Sequence, residues 1–351
     1  WREWNIDMED FNALGLDLTN ISKVYIGFGG PRVGQESEGG SGNVHFDEIE
    51  LLKPRCVPGL TIDEGDFTGD CLIDGFDLEI MAHDWLVMDY NVVGTTPSLT
   101  GLVAHYEFEG DVNDSSGNGY DGVVHGAPIY PAGVSGLEAI QLDGLLDYIS
   151  IPDSNTPGGA FDFNDTITLT AWIKVAAFEA DFATIISKGD SAWRLARNEG
   201  NDQLEFACTG VASDSIYGHI VGITSVDDDL WHHVAGVYDG SGLYLYVDGV
   251  LDAWDNATGF INDTSYEVYI GENAEVMGRL WNGLLDDVRV YNRALPHSEI
   301  VSLAGLSEVY QPVISIANIS DSEVKLSKKV NLRDYALIAE NWFRELLFPF
   351  E

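Results

Sequence analysis

Basic side chains are scarce: 17 Lys and Arg stand against 58 Asp and Glu in 351 residues, a formal net charge of −41. A surface of that sign repels phosphate backbones and anionic membranes, which excludes nucleic acid as a partner. It suits divalent cations, neutral ligands or a saline exterior, with solubility alone as the competing cause. Cysteine is also scarce, at three residues. Cys56 and Cys71 lie close in sequence and flank a loop, so a disulfide between them is expected if the chain is secreted. Cys208, in the strand-like Leu204–Cys208, reads as a buried free thiol, and no His stands at a Cys-His zinc spacing. No run of about eighteen apolar residues exists, so no membrane span is expected. A Gly-x-Ser-x-Gly elbow, a phosphate loop and a dinucleotide fingerprint are all missing. There is no initiator Met and no signal peptide, and the opening at Trp1 reads as a processed or partial product.

What the chain does have is apolar content, 45%, enough for a proper core, and strands. Asp229 to Gly249 reads as two strands and a tight turn. Trp231, His233, Ala235 and Val237 fall on one face, and His232, Val234, Gly236 and Tyr238 on the other. Asp239-Gly240-Ser241-Gly242 is the turn, Leu243–Val247 the returning strand, and Asp248-Gly249 a second turn. Further short strands follow one another from Leu102–Phe108 to Gly283–Asn292, separated by Gly/Asp turns. The fold class expected is mostly β, a two-sheet sandwich. Ala294–Leu303 reads as a terminal helix with Ser298 as its cap.

These motifs keep a consistent order: Phe108-Glu109-Gly110, Asp114-Ser115-Ser116-Gly117-Asn118-Gly119, Leu142-Asp143-Gly144, Ala171-Trp172-Ile173, Trp231–Ala235, Tyr246–Gly249 and Asp286–Tyr291. Together they resemble the laminin-G-like domains of the concanavalin A-like jelly-roll superfamily, over residues 93–308. The resemblance implies a jelly-roll sandwich. Glucanases of this fold carry Glu-x-Asp-x-Glu along one strand. No such string occurs, Glu107-Phe108-Glu109 being the nearest mimic, and no catalytic residue is expected. Asp286–Arg289 is expected to be a structural strand. The resemblance also implies a cation clamped between the first strand's loop and the last strand. Glu109, Asp111, Asp114 and Asp286 are its candidate ligands, against a role as loop-capping carboxylates. Sugar binding needs aromatic platforms: Trp193, Tyr217, Trp254 and Trp281 are the candidates, with packing the alternative for each, whereas Trp172 and Trp231 read as core.

On either side of the sandwich the character changes. Asp66, Thr68, Asp70, Asp74 and Asp77 put oxygen side chains at the first, third, fifth, ninth and twelfth positions of a loop, with the Leu72 carbonyl at the seventh. This is calcium-loop spacing; a solvated Asp-rich turn is the alternative. The following helix, Phe76 to about Leu86, has Leu78, Met81, Ala82 and Trp85 on one stripe. Ile73–Leu86 aligns without gaps with Val330–Phe343, matching Asp77 to Asp334, Ala82 to Ala339 and Trp85 to Trp342. The pair resembles the two halves of a dockerin, which implies one split module (58–92 and 309–351) with the sandwich inserted between its halves. Lys325, Ser327, Lys328 and Lys329 stand where the second loop would need carboxylates, so only the first is expected to hold Ca²⁺. Residues 1–57, ending in Val44–Leu51, resemble the last strands of a carbohydrate-binding jelly roll. The function expected is a non-catalytic binding or adhesion segment, secreted or at the cell surface, directed at polysaccharide or glycoconjugate. The alternatives are a structural subunit of an extracellular filament or cell-surface assembly and an accessory region of a glycoside hydrolase, with other copies of itself or a cohesin-like protein as further candidate partners.

Overall fold

In a computed structural model of the chain, residues 65–68, 72–85, 89–153, 158–213, 218–313 and 330–341 are described. The expected jelly-roll piece over residues 1–57, the Cys56–Cys71 disulfide, Asp70 and Tyr217 lie outside them. Two compact units divide the chain: Trp1–Met88 with Val313–Glu351, and Asp89–Pro312.

The described part of the first unit is a pair of short helices, α1 (Gly75–His83) and a second one at Leu332–Asn341. Their sequence repeat is also a structural one. Ile73, Asp77 and Met81 are buried in the first copy, and the aligned Val330, Asp334 and Ile338 in the second. The four apolar members make one cluster, with Phe67 and Val313 against it. The caps repeat as well. Asp77 Oδ2 accepts the Asp74 N–H at 2.8 Å, and Asp334 Oδ2 accepts the Asn331 N–H at 2.9 Å. Asp74 Oδ1 takes the Phe76 N–H and Asn331 Oδ1 the Arg333 N–H. Such reciprocal caps satisfy the orphan donors of a helix start. The buried stripe is narrower than the sequence suggested, however. Of Leu78, Met81, Ala82 and Trp85 only Met81 is buried, and Trp85 is 40% exposed. Burial recurs every fourth residue here, along the row Ile73, Asp77 and Met81.

The second unit is a sandwich. Its strands are β1 (Tyr90–Val93), β2 (Leu102–Tyr106), β3 (Val123–His125), β4 (Ile140–Asp143), β5 (Tyr148–Ile151), β6 (Ile167–Lys174), β7 (Thr184–Ser187), β8 (Trp193–Arg197) and β9 (Leu204–Cys208). They continue with β10 (Ala212–Ser213), β11 (His219–Val221), β12 (Trp231–Tyr238), β13 (Gly242–Val247), β14 (Val250–Thr258), β15 (Val268–Ile270), β16 (Asn282–Tyr291) and β17 (Glu308–Gln311). One sheet runs β10-β14-β13-β12-β6-β16-β2, with β4 also paired to β16; the other runs β11-β9-β8-β7-β15-β5-β3. Every pairing is antiparallel. A helix, α2 (His297–Leu303), follows β16, and the C-terminal Leu332–Asn341 helix is α3. The expected cap Ser298 is not one: Pro296 holds the N-cap position without a side-chain bond, and Ser298 Oγ instead accepts the Thr95 hydroxyl. β1 begins in the stretch (58–92) expected to belong to the split module, and it pairs with β17 in register from Tyr90–Gln311 to Val93–Glu308. This ribbon fastens the two ends of the sandwich together, which is what insertion into another unit requires.

Alternation in the strands places the core. Ile167, Leu169, Ala171 and Ile173 of β6 and Val234 and Tyr238 of β12 point between the sheets into the main cluster, as the hairpin's period predicts. Asp248 and Gly249 both have positive φ, 49° and 75°, the conformation a two-residue hairpin turn requires. Gly236 of β12 lies over Phe206 of β9, and a Cβ there would fall 2.3 Å from the ring. Glycine at this position lets the sheets meet. Gly236→Ala is expected to lower unfolding free energy by about 1–3 kcal/mol through overpacking. A denaturant midpoint equal to that of the parent protein would refute this.

Candidate functional site

The face of the larger sheet turned away from the core carries the polar chemistry. On β6 it presents Thr168, Thr170, Trp172 and Lys174. Register sets His233 of β12 and Asp286 of β16 on either side of Trp172. It sets Ala235 and Arg289 beside Thr170, and His105 of β2 beside Arg289. Between Asp286 and Arg289 the register shifts, and Asp287 has φ +49°, so β16 carries a bulge. The extra residue turns two consecutive carboxylates to the same side. One end of this face is closed by α2, where Ile300 and Leu303 join Ala235, Val237, Tyr246 and Tyr291 in a second apolar cluster. What is left open is a cleft of about 340 Å³, lined by Trp172, Asp287, Arg289, Val134, Ser135, Pro97, Ser302, Leu303 and Gly305.

The two carboxylates are held differently. Asp287 Oδ1 accepts from His105 Nε2 at 2.5 Å, Arg289 Nη2 at 2.9 Å and Arg289 Nε at 3.1 Å. Burial alone would raise its pKa, but these partners outweigh burial and hold the carboxyl below its ordinary value. Asp286 Oδ2 accepts the Val134 and Ser135 N–H groups at 2.8 Å each. The loop comes so close that a Cβ on Gly133 would lie 2.6 Å from that oxygen. Asp286 has no cationic partner among these contacts, and burial pushes its pKa up to about 6, against the two N–H bonds that lower it. His233 stands edge-on to Trp172 with ring centroids 5.4 Å apart, and burial lowers its pKa to about 4. Three buried atoms on this face, Asp286 Oδ1, His233 Nδ1 and Thr170 Oγ1, have no hydrogen-bond partner.

A second cavity, about 330 Å³ and lined by Gly126, Ala127, Ile129, Gln141, Asp143, Leu146 and Asp147, offers less. Asp143 Oδ1 is engaged by the N–H groups of Leu145, Leu146 and Asp147, and Asp147 Oδ1 by that of Ala127.

Several candidates from the sequence are corrected. Trp193 and Trp281 are fully buried, Trp193 with its indole N–H on the Phe161 carbonyl at 3.0 Å and Trp281 edge-on to Phe178, so neither offers a face to a sugar. Trp172 and Trp231, expected in the core, are partly exposed on the outer face. Trp254 is partly exposed opposite Tyr244. Glu109, Asp111, Asp114 and Asp286 do not converge, and among the described residues no three His, Cys, Asp or Glu side chains form a metal cluster. Each carboxylate binds backbone N–H groups instead: Glu109 takes Leu137, Asp111 takes Asn113, and Asp114 takes His105, Ser116 and Tyr120. In the Asp66–Asp77 loop, Asp66 and Asp77 are fully buried. Asp77 Oδ1 accepts the Phe67 and Thr68 N–H groups at 2.7 and 3.1 Å, and Thr68 Oγ1 donates to Asp66. Cys208 is buried and unpaired, with its thiol pKa raised by burial. The Asp287–Arg289–His105 group was missed; its signal was the adjacent pair Asp286-Asp287, which alternation alone cannot place on one face.

His233 and Asp286 make opposite contributions to acid stability. His233, depressed to about 4, takes its proton more readily unfolded, so stability falls as pH drops from about 6.5 toward 4. Asp286, raised to about 6, holds its proton more tightly folded, so stability rises over nearly the same window. Asp286→Asn removes the second contribution. Between pH 7 and 4.5 the variant is expected to lose on the order of 2 kcal/mol more than the parent protein, measured by denaturant titration. Identical pH dependence in the two proteins would contradict the assignment.

Comparison with known proteins agrees with this architecture. The family model for the concanavalin A-like lectin/glucanases superfamily matches residues 143–301. No curated protein matches the chain. Among solved structures, domain 4 of an extracellular GH43 arabinanase from Geobacillus stearothermophilus, in complex with arabinotriose, is 22% identical with a TM-score of 0.46, covering 58% of this chain and 98% of that domain. The binding domain of Paraclostridial Mosquitocidal Protein 1 is 18% identical with a TM-score of 0.48, over 58% of this chain and 52% of that one. The receptor-binding domain of a botulinum neurotoxin C/D mosaic is 14% identical, with a TM-score of 0.44 and 58% and 51% coverage. The chain thus spans about half of each toxin domain. From β4's last residue to the middle of α2, then, the sandwich carries the pattern of the concanavalin A-like lectin/glucanases superfamily.

Proposed function

We propose that this chain is a non-catalytic binding segment, directed at neutral polysaccharide or glycoconjugate, of a secreted or cell-surface protein. The observation that carries the reading is the outer-face cleft over β6 and β16, between the Val134–Ser135 loop and α2. A sugar ring has an apolar face of C–H groups and a rim of hydroxyls. Trp172, partly exposed, offers an aromatic surface for the first. The Arg289 guanidinium, the Asp287 carboxylate and the Ser135 and Ser302 hydroxyls offer donors and acceptors for the second. The family match supports a lectin-like use of the sandwich, and a net charge of −41 disfavours anionic glycans. Asp286 and Glu109 hold the loop at Val134–Leu137 and Asp287 holds Arg289, which supports the non-catalytic reading.

Calcium belongs to the same reading. Asp66, Thr68, Asp70, Asp74 and Asp77, with the Leu72 carbonyl, are the residues that would hold it. The donor set fits, all hard oxygens. A bound Ca²⁺ would order the start of α1; the dockerin-like pairing of α1 with α3 is part of the proposal.

Two measurements test these statements. On a glycan array followed by calorimetry, Trp172→Ala is expected to weaken binding at least about tenfold, equivalent to about 1.4 kcal/mol, with the melting temperature retained. Binding by no glycan, or unchanged affinity in the variant, would overturn the assignment. Addition of EDTA is expected to lower the melting temperature of the first unit, and Asp66→Ala to abolish that response. A melt indifferent to chelator would remove calcium from the account.

A further inference from the structure

A buried cluster associated with the smaller sheet takes no part in the cleft. Lys188, the residue after β7, is fully buried. Its ammonium is in direct contact with Asp153 Oδ2 and donates to the Tyr266 carbonyl at 2.9 Å, with Asp162 Oδ1 at 3.4 Å. The Asp153 and Asp162 side chains are 3% and 1% exposed. Asp153 follows β5, and β15 lies between β5 and β7, so the Lys188–Asp153 contact spans two strands that are not neighbours. Phe161 and Phe163, on either side of Asp162, are buried in the core with Trp193.

One ammonium thus faces two carboxylates away from water. Exclusion of water from the contact favours a condensation that releases water. The fold also fixes the reacting groups together, which supplies the effective concentration that amide formation lacks in water. Asp153 Oδ1 accepts the Ala160 N–H at 3.0 Å, a donor placed to stabilise negative charge on that oxygen. Asp162 remains as a base beside the nitrogen, its Oδ2 steadied by the Gly158 and Gly159 N–H groups.

We propose that Lys188 and Asp153 condense into an intramolecular amide cross-link, with Asp162 as the proton relay. A proton moves from Nζ to Asp153 Oδ2. The freed nitrogen lone pair attacks Cγ, the C–N bond forms, and the carbonyl electron pair shifts to Oδ1. Asp162 takes one proton from the nitrogen. As the Oδ1 pair returns, the Cγ–Oδ2 bond breaks, and Oδ2 leaves as water with the proton that Asp162 returns. Ammonium and carboxylate become amide and water, with no change of oxidation state and no co-reactant. The product straps β5 to β7 across β15.

Intact-mass spectrometry of the folded full chain tests this directly. The protein is expected to be lighter than its sequence mass by one water, and a digest to yield a branched peptide joining the segments of Asp153 and Lys188. Asp162→Ala, which keeps both reacting groups, is expected at its full sequence mass. A folded parent protein that stays at its sequence mass after prolonged incubation overturns the proposal. So does a one-water loss with only linear peptides, the signature of a succinimide at an Asp-Gly pair such as Asp143-Gly144. Neither outcome depends on glycan binding.

Discussion

Asp286 and Asp287 leave the same side of β16, and much of the larger sheet's outer face is arranged around that fact. The strand pairs with β2, β4 and β6. Leu285, Val288 and Val290 are in the core cluster, so β16 cannot turn over to relieve its other face. A bulge absorbs the extra residue, and two buried acids then stand where one would fit easily. One is balanced by Arg289 and His105. The other is held by the N–H groups of Val134 and Ser135, in a loop that Glu109 also anchors through Leu137. The cleft is the space between that loop and α2.

The same constraint separates the two sheets in role. The larger one carries the partly exposed Trp172 beside Asp287 and Arg289 on its outer face. The smaller one buries Lys188 with Asp153 and Asp162, where the Nζ group meets three oxygens, and separately pairs Arg194 with the buried Glu205. Between Asp89 and Pro312 the unit is also closed at its ends by the β1–β17 ribbon, where the Tyr310 hydroxyl donates to Asp89 at 2.6 Å. A sandwich fastened in this way can be carried within another unit without its core being opened.

Much of the sandwich was legible in the sequence because strand alternation and turn chemistry are local. The Trp231–Val247 hairpin has the facing pattern and the Asp-Gly turns that its residues announce, and the gapless repeat around Asp77 and Asp334 reappears as two identical caps over one small core. Exposure was not legible in the same way. Period two says that Trp172 and Ala171 face opposite sides, but not which side another layer covers. Trp193, offered as a sugar platform, points from the smaller sheet into the core, while Trp172, in an apolar strand, looks out. Asp286 was singled out for a metal and holds a loop. Its neighbour Asp287 was passed over because only a bulge, a tertiary feature, brings it onto the polar face. β1 and β17 escaped notice because their partners are more than two hundred residues apart.

The central claim is that the outer-face cleft, floored by Trp172, is where the sandwich meets its ligand. The nine tryptophans give nine indole N–H signals by which to follow a titration in solution. With a glycan that binds, the Trp172 signal is predicted to shift together with the Arg289 Nε–H, while those of the buried Trp193 and Trp281 stay in place. A bound glycan that leaves Trp172 unmoved and shifts Trp254 instead would contradict the account.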